Sequence, residues 1–150
     1  MKKFAVMALV VLMGIFAAGN AMANPAEDEC VAKCNAAAKL VAEKGDAAIA
    51  EINKKDGPFV SENTFVILFN FEGVVLAHPL KPENIGKNRL ADKDSKGKAY
   101  YQEYVETAKK GSGWVEHMWT SPDKKDLPKK TYIQKVEGKD MAVAAGYIVK

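Results

Sequence analysis

The chain has 150 residues, with 22 Lys and Arg against 19 Asp and Glu for a formal net charge of +3, and 48% of its residues are hydrophobic. That is the size and composition of one globular domain. So small a basic excess argues against a nucleic-acid partner, which needs cations massed on one face to neutralise phosphates.

Lys2 and Lys3, the apolar run Phe4 to Gly19 and the small residues Ala21 and Ala23 have the three parts of a secretory signal peptide, with cleavage predicted before Asn24. The alternative is a retained anchor, but the run is shorter than the roughly 20 residues of a spanning helix. Ala26, Glu27, Asp28 and Glu29 ahead of Cys30 lack the apolar and small residues of an acylation signal. The expectation is a soluble protein of residues 24–150, periplasmic or secreted.

Cys30 and Cys34 are the only cysteines. Export makes a structural disulfide the first expectation. Four residues apart on a helix, their Cβ atoms are too distant for a bond unless the first turn frays. Buried or intermolecular thiols are the alternative, and redox or metal work is a third. The spacing is neither C-x-x-C nor C-x-x-C-H, and His78 and His117 are too few to complete a zinc site.

Pro25 and the acidic Glu27, Asp28 and Glu29 suit a helix start, since proline tolerates the first turn and carboxylates complement the helix dipole. Val31, Cys34, Ala38, Val41, Ala48 and Ile52 then recur at helical steps. Gly45-Asp46 reads as a stop and a new start, predicting a long helix to about Lys44 and a short one over Ala47 to Lys54. After Asp56-Gly57-Pro58 the period becomes two. Thr64 to Asn70 and Val74 to His78 read as a hairpin turning at Glu72-Gly73. Lys81 to Gly97 reads mostly as loop, with a helical turn near Pro82 to Ile85, and Ala99 to Lys110 as a helix. Three more strands follow, at Gly113 to Trp119, Lys130 to Val136 and Met141 to Val149. This order gives an α+β domain: helices over 24–54 and one five-stranded antiparallel sheet within 59–150.

No serine sits in a G-x-S-x-G elbow, and there is no P-loop or G-x-G-x-x-G, so neither a hydrolase nor a bound cofactor is expected. Asp92, Asp94, Gly97 and Glu103 fit four positions of a calcium loop, but Lys96 stands where a ligand oxygen is required, and no metal is expected. Counting along strands, His117 and Trp119 share a face, as do Lys130 and Tyr132. The Lys130 ammonium, the Tyr132 hydroxyl and the indole of Trp119 or Trp114 are donors suited to a small carboxylate in an aromatic cup. Core or rim packing of the aromatic residues is the other reading.

From Cys30 to Tyr147 the chain resembles the single Cache domain of bacterial extracytoplasmic sensors, in its second sequence subclass. The carriers are Asp56-Gly57-Pro58-Phe59, Phe71-Glu72-Gly73-Val74-Val75-Leu76-Ala77-His78-Pro79, Ile85-Gly86-Lys87-Asn88, Gly111-Ser112-Gly113-Trp114-Val115 with Met118-Trp119, Pro128-Lys129-Lys130-Thr131-Tyr132, and Ala145-Gly146-Tyr147. The resemblance implies a PAS-like sheet with a long amino-terminal helix packed across it. On the opposite face it implies a pocket that in relatives takes small organic acids such as acetate, propionate, pyruvate or lactate. Carried onto this chain, the ligand contacts would be His78, Tyr101, Trp119, Lys130 and Tyr132. Lys130 would hold the carboxylate, Tyr132 and Trp119 would donate or pack, and His78 and Tyr101 would close the pocket. Most such domains lie between two membrane helices of a chemoreceptor or histidine kinase. Because nothing follows Lys150, the expectation is a freestanding, non-enzymatic form that presents its ligand state to such a membrane partner or buffers a metabolite. The rival is an interaction module without a small ligand, a homodimer joined through the heptad-like face of the first helix and linked by its cysteines.

Overall fold

Asn24 and Pro25 start the first helix as their chemistry dictates: the Asn24 side chain accepts a hydrogen bond from the Ala26 amide at 3.2 Å, and Pro25 occupies the first helical position. A computed structural model describes residues 23–150, so the signal-peptide reading lies, apart from Ala23, outside the described residues. Helix α1 (Pro25–Lys44) ends at Gly45, whose positive φ of 56° lets the chain turn and leave again as α2 (Asp46–Ile52). The sheet follows: β1 (Val66–Asn70), β2 (Val75–Ala77), then after a 3-10 turn (Pro82–Asn84) and helix α3 (Tyr100–Lys109) come β3 (Ser112–Thr120), β4 (Asp126–Lys135) and β5 (Met141–Ile148). The spatial order is β2-β1-β5-β4-β3 and every neighbouring pair is antiparallel. This is the PAS-like five-stranded sheet with the long helix across it. None of the described helices is long and apolar enough to cross a membrane.

Alternation along the strands divides the core in two. Val66, Leu68, Val143 and Ala145 face α1 and α2, meeting Cys34, Ala38, Val41 and Ile52. Ile67, Phe69, Val115, Ile133 and Ala144 face the other way, onto Tyr104, Val105 and Ala108 of α3.

Three expectations are corrected here. Strand β4 begins at Asp126, four residues before the predicted start, and carries Pro128 within it. The Pro128 carbonyl accepts from Val149 on the β5 side, and the missing N–H lies on that side too, where the ladder is running out. Pairing with β3 therefore loses nothing.

The expected Cys30–Cys34 disulfide is absent: both are buried free thiols. Because α1 starts at Pro25, Cys30 lies in the second turn of a capped helix, not in a frayed end. Each thiol has its own neighbour, Cys30 Sγ at 3.6 Å from Thr64 Oγ1 and Cys34 Sγ at 3.7 Å from the Tyr132 carbonyl oxygen. Burial pushes both thiols above their ordinary pKa.

The apolar face of α1, expected as a dimer seam, is consumed by the sheet: Cys30, Ala37 and Val41 are 0–1% exposed. What the helix turns to solvent is Lys39, Glu43 and their like, an exposed i,i+4 pair.

Candidate functional site

On the face opposite α1, between the sheet and the segment joining β2 to α3, lies a cavity of about 560 Å³, within the range of small-molecule sites. Its floor is the sheet, with Ile67 on β1, His117 and Trp119 on β3, Lys129 on β4 and Gly146 on β5. Tyr100, Tyr101 and Tyr104 of α3 form one wall. Ser61 to Phe65, His78 to Lys81 and the loop residues Arg89, Lys93 and Asp94 complete it.

The floor depends on one glycine. A Cβ at Gly146 would stand 2.8 Å from Lys129 Cε and 2.9 Å from the Lys130 carbonyl oxygen, besides colliding with Thr131 Oγ1. Without it, the Lys129 stem crosses β5 toward Phe65, and its Nζ sits 5.4 Å from the centre of that ring. Among the described residues no carboxylate pairs with Lys129. Burial pushes its pKa down to about 8, with Lys81 acting the same way.

Arg89, by contrast, is partnered: its Nε donates to Asp92 and its Nη2 to the Tyr100 hydroxyl at 3.2 Å, while the guanidinium lies 5.1 Å from the Tyr101 ring centre. Asp94 also faces inward but is occupied, accepting from the amides of Lys96, Lys98 and Met118 at 2.9 Å each, which holds its carboxyl below the usual range. Asp92, Asp94 and Glu103 are thus tied to Arg89, backbone amides and Lys98 respectively, and do not converge as calcium ligands. No cluster of three or more metal-ligating side chains occurs among the described residues.

Hydrogen bonds fix both imidazole tautomers. The Lys81 amide donates to His78 Nδ1 at 3.1 Å, so neutral His78 carries its proton on Nε2 as a donor. Burial, aided by Lys81, Lys129 and Arg89, holds its pKa down to about 4. His117 is the reverse case: Nδ1 is 2.9 Å from the Met118 carbonyl and must donate, so Nε2 accepts from the Tyr104 hydroxyl at 2.6 Å. Thr131 Oγ1, 3.2 Å from that hydroxyl, completes a buried chain. Tyr100 stacks on His117 with ring centres 4.4 Å apart and planes 8° from parallel, which joins the α3 wall to the sheet floor.

Of the five expected ligand contacts, the structure brings His78, Tyr101 and Trp119 to the cavity. Lys130 and Tyr132 are corrections: both lie on the α1 face. Lys130 Nζ is 2.5 Å from Glu27 Oε1 and 4.9 Å from the Trp114 ring centre, and Tyr132 packs against Trp114 with ring centres 5.1 Å apart. The cause is pairing parity. Residues directly opposite in antiparallel strands share a face, and here His117 pairs with Lys129 while Trp114 pairs with Tyr132. The two same-face pairs recognised in the sequence are real, but they belong to opposite faces. Lys129, Arg89, Tyr100, Tyr104 and His117 were missed as lining residues. Knowledge of the β3–β4 register would have exposed Lys129 and His117; the positions of Arg89 and Tyr100 follow only from how the long segment folds back.

Comparison with known proteins fits this geometry. The family model described as Cache domain matches residues 35–150. A methyl-accepting chemotaxis protein from Vibrio parahaemolyticus RIMD 2210633 is similar in structure, with a TM-score of 0.69 at 20% identity over 83% of this chain and 88% of that chain. A periplasmic sensor domain of a chemotaxis protein gives 0.64 at 21%, over 83% and 90%. A Cache chemosensory domain whose structure explains carboxylic acid recognition gives 0.63 at 25%, over 77% and 83%. No curated protein sequence matches. With the matched model spanning most of its length, the chain belongs to the Cache family of sensor domains and carries a single such domain.

Proposed function

We propose that this domain senses a small organic carboxylate, bound in the cavity with the Lys129 ammonium as its anionic anchor. The observation that carries the reading is a half-buried cation, unpaired among the described residues and set in an aromatic cup. A buried charge without a counter-ion is costly, and an anionic ligand supplies the missing partner. His78 Nε2–H is the neutral donor available beside it, while Tyr101 and Trp119 line the apolar part. Carboxylic acid recognition by the Cache chemosensory domain at 25% identity supports the ligand class. Likeness to chemotaxis receptor domains supports an extracytoplasmic location and a role in signal transduction through a membrane receptor or histidine kinase, without catalysis.

A thermal-shift screen against C2 to C4 carboxylates, amino acids and small amines tests it. At a hundredfold over its dissociation constant a ligand adds about 2.7 kcal/mol, ample for detection. A shift confined to carboxylates is expected; shifts with amines alone, or with no acid, would sink the reading.

A further inference from the structure

The surroundings of Lys129 suit a second chemistry besides ion pairing. Its nitrogen stands in an open cavity of about 560 Å³, with no carboxylate to hold it as an ammonium among the described residues, and the face of Phe65 beside it favours the ammonium less than a carboxylate would. Glu62, Arg89, Lys93 and Asp94 also line the cavity, Asp94 with its carboxylate taken by three backbone amides; the titratable groups that act on Lys129 itself are His78 and Lys81 after β2, His117 on β3 and Cys30 on α1. Two are imidazoles that burial keeps toward the neutral form, one is a thiol that burial keeps protonated, and one is a second cation. Lys81 favours the free amine and Cys30 opposes it, but burial outweighs both. Desolvation and a neighbouring cation are the two devices that make a lysine nucleophilic toward carbonyl compounds.

We propose that Lys129 is a reactive amine that condenses reversibly with small aldehydes or 2-oxo acids admitted to the cavity. The nitrogen lone pair attacks the carbonyl carbon, forming the C–N bond of a carbinolamine. Loss of water, made of the carbonyl oxygen and the two amine protons, leaves the imine, and water returning reverses both steps. Lys81 and Lys93 line the same cavity, beside the Asp92-paired Arg89, and offer cations to the carboxylate of a 2-oxo acid, which favours that class over a neutral aldehyde. This goes beyond carboxylate binding, because it uses the free amine and not the ammonium. At neutral pH a group titrating near 8 has roughly a tenth of its molecules in the free form, against less than a thousandth for an ordinary lysine.

The test is reductive trapping of the full chain with glyoxylate and cyanoborohydride, mapped by peptide mass spectrometry. At pH 7.5 Lys129 should be alkylated on the order of tenfold faster than the exposed Lys44 and Lys55, and its rate should level off above about pH 8 to 9 while theirs keeps climbing. Labelling at Lys129 no faster than at Lys44 and Lys55 overturns the proposal. Acetate has no reactive carbonyl, so its thermal shift reports on carboxylate binding alone: acetate binding without preferential trapping removes the imine and leaves the sensor reading intact.

Discussion

The two faces of the sheet are built from the same strands and end up as different materials. On one face α1, 20 residues and so about 30 Å long, crosses the sheet and leaves a dry, filled layer: Cys34, Val41, Ile52, Leu68 and Val143 are 0–1% exposed. On the other, α3 has 10 residues, about 15 Å, and covers only part of the same area with Tyr104, Val105 and Ala108. The remainder is roofed by the segment between β2 and α3, which has few apolar side chains to lower onto the sheet. The cavity is what the short helix leaves. Polar groups follow the same division. At the edge of the filled face Lys130, Glu27, Tyr147 and Asn24 satisfy one another, whereas Lys129, one residue away, has no such partner among the described residues.

The largest effect that separates the faces is a void. Leu68→Ala should cost about 2–5 kcal/mol in chemical denaturation, because the closed layer between α1 and the sheet cannot collapse around the loss. Carboxylate affinity of the folded variant should be unchanged. If affinity fell in step with stability, the faces would not be separable.

Next in size is the contrast between adjacent lysines. Lys129→Met should weaken carboxylate binding by about 1.5–3 kcal/mol, the range of a charge-assisted hydrogen bond, while melting no lower than the parent because an unpaired buried cation has been removed. Lys130→Met should do the opposite, leaving binding untouched and lowering the melting temperature by releasing Glu27 from the start of α1. Isothermal titration and melting curves on the two variants decide it; equal losses of affinity would return Lys130 to the site.

The order of elements was legible in the sequence because most boundaries had a local cause, the start of β4 ahead of Pro128 being the exception. Gly45 ends α1, Gly111 follows α3, and strand periodicity changes where the chain turns. The site was legible only by half. Tyr101 and Trp119 sit on elements whose inward face the pattern shows and His78 directly follows β2, but the choice between Lys129 and Lys130 depends on register, a pairing between distant segments that no local pattern records. Both lysines are followed at a step of two by β-strand formers, Thr131 and Tyr132, so alternation suits either. The cysteines fail for another reason: the expected export implies a bridge, while the observed helix runs unbroken through Cys30 and Cys34 and keeps the two thiols apart. Thiol titration after unfolding under non-reducing conditions should count two thiols per chain, and none in the folded protein; a count of zero in both states would restore the disulfide.

Gly146→Ala probes how tightly the cavity floor fits the Lys129 stem. The added methyl meets Thr131, Lys129 Cε and the Lys130 carbonyl, of which only the lysine stem is free to move. Overpacking of this kind costs about 1–3 kcal/mol. Because the stem is displaced, affinity should fall with stability, unlike the effect of Leu68→Ala on the filled face. Denaturation and titration of one preparation give both numbers.

The smallest effect carries the sharpest sign. In the empty domain Lys129 titrates at about 8, below its ordinary 10.5, so between those values the unfolded chain holds more protons than the folded one. The stability of the empty domain should therefore gain from this residue as pH rises from 8 to 10.5. A bound carboxylate reverses the burial effect by favouring the ammonium, so above pH 8 binding must take up a proton. Affinity should be level from pH 6 to 7.5 and then fall, by at most about tenfold (1.4 kcal/mol) per unit. His78 adds no step in this range, since its pKa of about 4 keeps it neutral throughout. The same residue thus makes the empty domain more stable and the complex weaker with rising pH, and Lys129→Met should abolish both slopes. Affinity that stays flat to pH 10 would mean that the ligand's charge is met elsewhere in the cavity, with Lys81, Arg89 and Lys93 the cations to test.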